Sequence, residues 1–567
     1  MASAVPSAPS DTPLGAGAPI TMFGPDFPFA YDDFLRHPAG LGSVPPERHG
    51  TEVAIVGGGL SGIVTAFELM KLGLRPIVYE ADRIGGRLRS EAFEGHPESF
   101  AELGAMRFPP SSTALFHYID ACDLETRPFP NPLTPAARST VVDLKGVSHY
   151  ARQVEDLPPV FGEVAEAWLG VLEDRAHYSA MQDAIHARDP VRIKELWDPL
   201  VAALDDEAFY GFLARSPQFA RFSFREIFGQ VGFGTGGWDT DFPNSMLEIL
   251  RVVYTGADLD HRGIVAGSQA LPERLWELAP AANEMRHWPE GTTLRDLNGG
   301  APLPAVVEMT RSVPATTTTI VDERGGARTY EAVVFTAQNW LLLNRIRSDA
   351  ALFPPLVWTA MERTHYMEAS KIFILVDRPF WKDVDPATGR HVMSMTLTDR
   401  MPRATYLMDA GDDQPGVICL SYTWTDDSMK WLALSLEDRV QVAIDSLRAV
   451  HPNVDLRERM IAPPLTVSWE NERWFMGAFK ANLPGHYRYQ RRVFTHFMQD
   501  RLAPEHRGVF LAGDDVSWTA GWAEGAVQTA LNAVWGVLTH LGGATHPENP
   551  GPGDRFDELA PLELPET

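Results

Sequence analysis

A glycine-rich turn between two apolar runs constrains this chain more than any other feature. The turn lies within residues 53–90, where Gly57, Gly59 and Gly62 have the spacing G-x-G-x-x-G. An apolar β-branched run precedes it, and an amphipathic stretch and a second apolar run follow, which predicts strand, turn, helix and strand. The glycines permit a tight turn, close approach of the backbone to a pyrophosphate, and close packing of helix on strand. The segment therefore predicts a dinucleotide site, and an accidental glycine turn is the competing interpretation.

Charged residues near this turn fit the same ligand. Glu80 ends the second predicted strand, 18 residues after Gly62, where a carboxylate can hold both hydroxyls of an adenosine ribose. The helix predicted over about 60–72 points its positive N-terminal end at the phosphates. In a second turn, Gly86 lets the backbone approach the cofactor and Arg87 can neutralise phosphate charge. A solvated charged turn is the alternative interpretation of this arginine.

Composition excludes several classes of function. The 567 residues carry 75 acidic and 49 basic side chains, a net charge of −26, which argues against sequence-independent binding of nucleic acid. Two cysteines predict neither a disulfide framework nor a cysteine-based metal site, and no motif such as H-E-x-x-H occurs. No apolar run reaches the roughly 18 residues that span a bilayer, and the N-terminal residues lack the pattern of a signal peptide. We therefore expect a cytoplasmic enzyme with no membrane, nucleic-acid or metal partner.

The pieces of the dinucleotide domain recur along the chain and predict a doubly wound α/β domain built from discontinuous segments. The segments are 20–112, 260–338 and 485–547. In the second segment, residues 316–322 and 329–336 have the composition of two strands around a glycine turn. In the third, a buried strand predicted over 508–512 precedes a helix. Together the three segments supply the strands and helices that such a domain requires.

Two inserts separate these segments and predict a substrate domain of mixed sheet and helices, so that the whole chain is of α+β class. Residues 113–259 are mostly helical by pattern, whereas residues 339–484 mix strand-like runs with helices. Residues 1–19 are rich in Ala, Ser and Pro and are expected to be disordered. The Pro-rich acidic tail over 548–567 is expected to lie on the surface.

Residues that follow the second glycine turn suit a reacting site. The backbone of Gly104, Ala105 and Met106 can pass close to a cofactor ring. Arg107 is a fixed, always-charged fork suited to a carboxylate. The alternative partner of this arginine is Glu102 or a phosphate.

Polar and aromatic residues later in the chain extend this set. Asp514 stands between a predicted strand and a predicted helix, where it can accept a hydrogen bond from a cofactor hydroxyl. The start of that helix, near Gly521, can face a site where negative charge develops. Trp522 can form an aromatic wall, with ordinary packing as the alternative. Lys371 precedes an apolar run over 372–376, where a lysine can also extend to the surface.

Together these features resemble the flavin monoamine oxidase superfamily. The likeness runs from about Ile20 to Asp554 and includes the stretches FGQVGFGTGGWDTDFPNSMLEI, GAFKANLPGHYRY and AGDDVSWTAGWAEGAVQTALNAVWG. Within the superfamily it is closest to the bacterial L-lysine 2-monooxygenases and L-amino-acid oxidases, and the tryptophan 2-monooxygenases are related. The resemblance implies FAD as cofactor, a small L-amino acid and O2 as substrates, and a homodimer.

The resemblance also implies roles for individual residues. Arg107 would bind the substrate carboxylate, Lys371 would hold a water near the reactive flavin nitrogen, and Trp522 and Phe479 would flank the reacting amine. Asp241 would meet the ammonium group of a lysine side chain, and its alternative is a turn aspartate that caps a helix at 244–249. The residues implied to hold FAD are Gly57, Gly59, Gly62, Glu80, Gly86, Arg87, Gly104, Ala105, Met106, Arg107, Asp514 and Trp522.

We therefore expect oxidation of an L-amino acid, first of all L-lysine, by FAD and O2. Hydride transfer to FAD gives an imino acid, and if this stays bound the products are CO2, water and the amide one carbon shorter. If it escapes, hydrolysis gives the keto acid, ammonia and hydrogen peroxide. Arginine and the aromatic amino acids are alternative substrates. An amine or polyamine oxidase, which binds no substrate carboxylate, is the alternative class.

Overall fold

The computed structural model describes residues 24–231, 239–257, 260–281, 283–285, 287–312 and 316–565. The segment 1–19, predicted to be disordered, lies outside these residues. Within the described ranges no helix combines the length and the hydropathy needed to cross a bilayer.

A four-stranded parallel sheet forms the base of the dinucleotide-binding region. The helix Leu60–Lys71 connects its first two strands in sequence and packs against the helix Ala523–His540. A central strand enclosed on both faces is apolar throughout, and Ala332–Phe335 is accordingly buried at every residue. The predicted α/β fold is thus confirmed. The strand order is Arg75–Tyr79, Glu52–Val56, Ala332–Phe335 and Val509–Leu511.

The single strand predicted over 329–336 is wrong, because the run forms two strands in two different sheets. Ala327–Tyr330 pairs antiparallel with Thr317–Asp322, whereas Ala332–Phe335 joins the parallel sheet. Glu331 separates them, and the chain passes there from a largely exposed strand to a fully enclosed one. The sequence gives no warning of this change of sheet, since no glycine or proline interrupts the run.

A second large sheet has seven strands and is mixed. Its order is Leu465–Ser468, Ala369–Val376, Gly416–Trp424, Ala404–Asp409, Met395–Thr398, Thr140–Leu144 and Val147–Ala151. The last two strands form a hairpin that the mostly helical prediction for 113–259 missed. Lys145 and Gly146 make its two-residue turn, and both have positive φ, the geometry that favours tight hairpins.

Helices and short ribbons complete the fold. Besides the two already given, the helices of eight or more residues are Thr113–Ala121, Pro159–Ala176, Tyr178–His186, Pro190–Leu204, Phe222–Val231, Met246–Tyr254, Ala270–Glu277, Pro355–Glu362, Leu436–Arg448 and Tyr487–Phe494. The shorter ones are Tyr31–Arg36, Phe209–Ala214, Leu294–Leu297, Leu341–Asn344, Thr425–Met429, Leu456–Arg459 and Phe556–Leu559. A second four-stranded sheet has the order Ala327–Tyr330, Thr317–Asp322, Val306–Ser312 and Arg347–Ser348, with its first three strands antiparallel and the last pair parallel. The ribbons pair Ser90–Phe93 with His96–Glu102, Thr126–Pro128 with Arg262–Ile264, and Tyr366–Met367 with Phe479–Lys480.

The acidic C-terminal tail has a buried aromatic anchor. The ring of Phe556 lies 6.0 Å from that of Phe27 and 5.9 Å from that of Phe497, between ring centroids. Aromatic contacts of this kind add to the energy of burial. The tail therefore joins the first described residues of the chain to the segment before the last strand of the parallel sheet.

A buried carboxylate links two of the helices that pack on this core. Glu524 lies in the first turn of the helix Ala523–His540 and is 1% exposed. Its oxygens accept hydrogen bonds from the backbone amides of Leu115, at 2.7 Å, and Ala114, at 3.3 Å, at the start of the helix Thr113–Ala121. Burial raises the pKa of Glu524 to about 7, although these amides oppose the shift.

The raised pKa predicts how the substitution Glu524→Gln changes stability with pH. Between its ordinary value of 4.5 and about 7, the folded state holds a proton that the unfolded state has released. The contribution of this group to stability is therefore largest below pH 4.5 and is lost as the pH rises toward 7. Glutamine stays neutral and keeps an acceptor oxygen. We expect Glu524→Gln to be more stable than wild type by about 2 kcal/mol at pH 8, and by much less at pH 5.

Urea unfolding of both proteins at pH 5 and pH 8 measures this difference. Glu166→Gln is the matched control, because Glu166 is exposed, and it should track wild type at both pH values. A Glu524→Gln variant with the same stability as wild type at pH 8 would contradict the account.

Candidate active site

A cleft between the parallel sheet and the seven-stranded sheet brings almost all the predicted site residues together. Its empty space measures about 2340 Å³, including solvent at its mouth. Gly62 is the one predicted residue that does not line it. The predicted residues that do are Gly57, Gly59, Glu80, Gly86, Arg87, Gly104, Ala105, Met106, Arg107, Asp241, Lys371, Phe479, Asp514 and Trp522.

The glycine turn leaves space for a ligand and is itself closely packed. Gly57 has φ +114°, which favours glycine. A Cβ added to Gly62 would lie 1.9 Å from the carbonyl oxygen of Gly57, so this glycine is required by helix–strand packing. A Cβ added to Gly59 would meet no protein atom closer than 3.9 Å. Gly59 is therefore open toward the cleft.

A buried hydroxyl group at the start of the helix Leu60–Lys71 has no hydrogen-bond partner in the protein. The hydroxyl oxygen of Ser61 is buried, lines the cleft and makes no hydrogen bond. Buried hydroxyls in folded proteins are nearly always hydrogen-bonded. This orphaned group and the positive end of the helix dipole fit the pyrophosphate of a dinucleotide such as FAD.

Glu80 is held in place by the backbone at the end of its strand. Its two carboxylate oxygens accept hydrogen bonds from the amides of Gly58, at 2.6 Å, and Asp82, at 2.8 Å. Burial nevertheless raises the pKa of this carboxyl. Each carboxylate oxygen has more than one acceptor position, so Glu80 can also accept bonds from a diol in the cleft.

Arg87 bonds to protein carboxylates across the floor of the cleft. Its guanidinium donates to Asp514 at 3.1 Å, to Asp515 at 3.0 Å and to the carbonyl of Ala478 at 3.0 Å. The other oxygen of Asp514 accepts the amide of Gly521 at 2.7 Å. The geometry thus gives Arg87 a bracing role, and direct neutralisation of phosphate stays a prediction.

Lys371 is a buried cation inside the cleft. It is 3% exposed, so its side chain does not extend to the surface. The ammonium group donates to the carbonyl oxygens of Glu102, at 3.0 Å, and Gly104, at 2.5 Å, and lies 4.6 Å from the ring centroid of Tyr422. Burial lowers the pKa of Lys371 to about 8. It is thus mostly protonated at neutral pH but lies close to its titration point.

Arg107 is half-buried and donates hydrogen bonds to two neutral side chains. Its Nη1 donates to the hydroxyl of Tyr406 at 3.2 Å and to the side-chain oxygen of Asn131 at 3.5 Å. Glu102, the alternative partner considered from the sequence, instead accepts hydrogen bonds from Ser90 and Ser268. Both hydrogen bonds from Arg107 help to orient its guanidinium, whose donors suit an anionic ligand.

Aromatic rings form the walls of the cleft. Trp522 lies 5.5 Å from His261, and Phe479 lies 5.3 Å from Trp424, between ring centroids. Trp522 and Phe479 were predicted from the sequence, whereas Trp424 and Tyr422, which line the cleft, and His261, which packs against Trp522, were not. Tyr422 and Trp424 stand two residues apart on one strand, so their side chains lie on the same face of the sheet. Lys371, which is paired with Tyr422 on the neighbouring strand, shares this face. This period of two was the available signal, but it could not show which face meets the cleft.

Asp241 lies in a turn at the cleft and is 7% exposed. Its side chain accepts a bond from Asn244 Nδ2 at 3.4 Å. The capping alternative is not what the structure has, because the next helix is Met246–Tyr254 and the hydroxyl of Ser245 caps it by accepting the amide of Leu247.

Charges of both signs act on the same wall of the cleft. Burial raises the pKa of Tyr422, while the positive charge of Arg107 opposes this shift and the negative charge of Asp241 adds to it. The phenol is therefore within the field of both residues. The arrangement can recognise a ligand that carries an anionic group and a cationic group.

Comparisons with known proteins agree with this geometry. The family model described as flavin containing amine oxidoreductase matches residues 60–538. Tryptophan 2-monooxygenase of Pseudomonas savastanoi is 33% identical over 564 residues, covering 93% of this chain and 96% of that protein. L-amino-acid oxidase of Sistrurus catenatus edwardsii is 22% identical over 485 residues, covering 85% of this chain and 86% of that protein.

Solved structures share the fold. Putrescine oxidase bound to putrescine matches with a TM-score of 0.64 at 18% identity, covering 86% of this chain and 99% of that chain. Cyclohexylamine oxidase from Brevibacterium oxydans IH-35A matches with a TM-score of 0.60 at 18% identity, covering 86% and 98%. The chain belongs to the flavin-containing amine oxidoreductase family, and FAD is its cofactor.

Proposed function

We propose that this protein oxidises an L-amino acid with a cationic side chain, first of all L-lysine, as an FAD-dependent 2-monooxygenase with oxidase side activity. The observation that carries the proposal is the nearly buried Asp241 in the same cleft as Arg107. A carboxylate in the cleft can form a charge-assisted hydrogen bond with a cationic group of a ligand. L-Lysine offers a carboxylate for Arg107 and an ammonium group for Asp241.

The shape of the cleft supports a proposal for the residues that would hold FAD. The glycine turn, Ser61 and the helix N-terminus would receive the pyrophosphate, and Glu80 the adenosine ribose. Asp514 would accept a hydroxyl of the ribityl chain, and Gly104 would pass close to the flavin ring. When bound there, FAD supplies the acceptor for the hydride that leaves the substrate α-carbon.

The protein would contribute orientation and exclusion of water. Arg107 would bind the α-carboxylate and so fix the position of the α-carbon. Trp522 and Phe479 would enclose the amine, and loss of hydration favours its neutral form, whose lone pair assists departure of hydride. Lys371 donates two of its three protons to carbonyl oxygens, and below pH about 8 the third can hold a water.

Retention of the imino acid would decide between the two products. A site that keeps hold of both ends of the substrate retains it long enough for oxidative decarboxylation, which gives the amide one carbon shorter, CO2 and water. Release followed by hydrolysis gives the keto acid and ammonia, with hydrogen peroxide from O2. The anchors at Arg107 and Asp241 favour retention, and therefore the amide.

An aromatic amino acid is the second candidate substrate. It is favoured by the relatives named tryptophan 2-monooxygenase and by the rings of Trp424, Phe479 and Trp522 along the cleft. Under this alternative Asp241 would have no ionic partner in the substrate. The two candidates therefore differ in what a neutral residue at position 241 would do.

Two substitutions on the glycine turn test the cofactor half of the proposal. Gly59→Ala places a methyl group in the space assigned to FAD, with no protein atom closer than 3.9 Å. We expect it to fold with wild-type stability and to bind FAD at least about tenfold more weakly, because overpacking costs about 1–3 kcal/mol. Gly62→Ala clashes with the backbone of Gly57 and should lower the stability of the apoprotein itself.

Urea unfolding of the apoproteins and titration with FAD separate the two effects, and each variant is the control for the other. Full FAD affinity in Gly59→Ala would show that the cofactor does not approach the turn.

Asp241→Asn tests the substrate half. It removes the charge and keeps the size of the side chain. We expect KM for L-lysine to rise roughly tenfold or more, as for loss of a hydrogen bond to a charged group. L-Norleucine, which has the same chain length without the ammonium group, should keep its kcat/KM within about threefold.

Steady-state kinetics with both amino acids measure this. Arg107→Met is the matched control and should weaken both substrates equally, because both carry the carboxylate. An unchanged preference for L-lysine in Asp241→Asn would remove the basis for the proposed side-chain pocket.

A further inference from the structure

Three separate pieces of chain meet behind Arg107. The backbones of Phe108 and Arg262 exchange two hydrogen bonds, of 2.8 and 2.9 Å. The ribbon of Thr126–Pro128 with Arg262–Ile264 continues through a bond of 2.8 Å from the amide of Phe129 to the carbonyl of His261. The arginine is thereby packed beside two buried polar side chains that the mechanism above does not use.

Those two side chains are Asn131 and His261, which are 6% and 2% exposed. Asn131 stands between two prolines, Pro130 and Pro132, which restrict the backbone on both sides. The side chain of Asn131 lies 2.8 Å from Nδ1 of His261, and Nε2 of His261 lies 2.8 Å from the carbonyl oxygen of Ala257.

These hydrogen bonds form a chain from Arg107 to Ala257. The groups at its two ends, a guanidinium and a carbonyl, determine the direction of each bond. A carbonyl oxygen can only accept, so Nε2 of His261 donates to Ala257 and Nδ1 is left as an acceptor. A guanidinium can only donate, so Arg107 donates to the oxygen of Asn131, whose NH2 group then donates to Nδ1. The donors are therefore Arg107, Asn131 and His261 in turn, and the carbonyl oxygen of Ala257 is the final acceptor.

The protonation state of the imidazole agrees with this direction. Burial, assisted by the nearby positive charge of Arg107, lowers the pKa of His261 to about 3. The ring is therefore neutral at physiological pH. Only a neutral imidazole leaves Nδ1 able to accept from Asn131.

The same ring also supports the aromatic wall. The centroid of His261 lies 5.5 Å from that of Trp522, with 37° between the ring planes. Its Nε2 donates to Ala257, which follows the helix Met246–Tyr254. His261 thus contacts Trp522, in the wall proposed to flank the amine, and Asn131, which bonds to Arg107. It also bonds to the residue that follows a helix whose residues line the cleft.

We propose that His261 is a positioning residue for the substrate carboxylate. It holds Asn131 in place, and Asn131 in turn orients the guanidinium of Arg107 that binds the carboxylate. The inference rests on the proposed function, in which Arg107 binds that carboxylate. His261 touches neither the carboxylate nor the reacting carbon. Its removal should therefore weaken ligands that carry a carboxylate and spare those that lack one.

Two substitutions separate the hydrogen bond from the ring. His261→Phe keeps a ring beside Trp522 but has no acceptor for Asn131. His261→Asn loses the ring and places an acceptor oxygen near the position of Nδ1. His451→Phe is the matched control, because His451 is also buried but is hydrogen-bonded to Thr396 rather than to Asn131.

The readout is the Kd of 6-aminohexanoate for the FAD-loaded protein, measured by calorimetry. This compound has the carboxylate and the terminal ammonium group of lysine but no α-amine, and pentylamine is its counterpart without the carboxylate. We expect His261→Phe to raise the Kd of 6-aminohexanoate roughly tenfold and to leave that of pentylamine unchanged. His261→Asn and His451→Phe should bind both compounds as wild type does.

Two results would overturn the inference, and they differ in what else they overturn. Wild-type binding of 6-aminohexanoate by His261→Phe, with weakened binding by Arg107→Met, would remove the role of His261 and leave the proposed function standing. Wild-type binding by Arg107→Met would remove the carboxylate site and this inference together. Should His261→Phe fail to fold, Asn131→Leu breaks the same chain at its middle member and has the same expected result.

Discussion

The ion cluster of Arg87 with Asp514 and Asp515 holds the parts of the cleft together. Arg87 belongs to the second glycine turn, and the two aspartates follow the last strand of the parallel sheet. The hydroxyl of Tyr366 and the amide of Asn339, from parts of the chain between them, also donate to Asp515. Removing one partner of such a buried cluster leaves an uncompensated charge, which typically costs about 3–5 kcal/mol. The floor of the cofactor site and the aromatic wall therefore share one support.

Above this support, Arg107, Lys371 and Asp241 bring charges of both signs into the cleft. Arg107 and Lys371 are cationic and Asp241 is anionic, and each acts more strongly there than it would in water. Complementary charge selects a ligand more by penalising mismatched partners than by adding affinity. A substrate with a carboxylate and a cationic side chain matches both signs. The two ends of such an amino acid would therefore be recognised separately.

The sequence predicted the parts of the site whose chemistry is local. The glycine turn, the helix after it and Glu80 lie within one continuous segment, and their spacing alone specifies their geometry. The Lys145-Gly146 hairpin and the split at Glu331 were missed because hydrophobic periodicity does not report which sheet a strand joins. His261 and Asn131 were missed for a related reason, since their link to Arg107 exists only after three distant segments have paired.

One competition experiment distinguishes a cationic from an aromatic side chain in the substrate. The purified yellow protein is incubated in air with equal concentrations of L-lysine and L-tryptophan, and the products are identified by mass spectrometry. We expect 5-aminopentanamide as the main product. Indole-3-acetamide, with L-lysine left unconsumed, would contradict it and would assign the pocket around Asp241 to an aromatic amino acid.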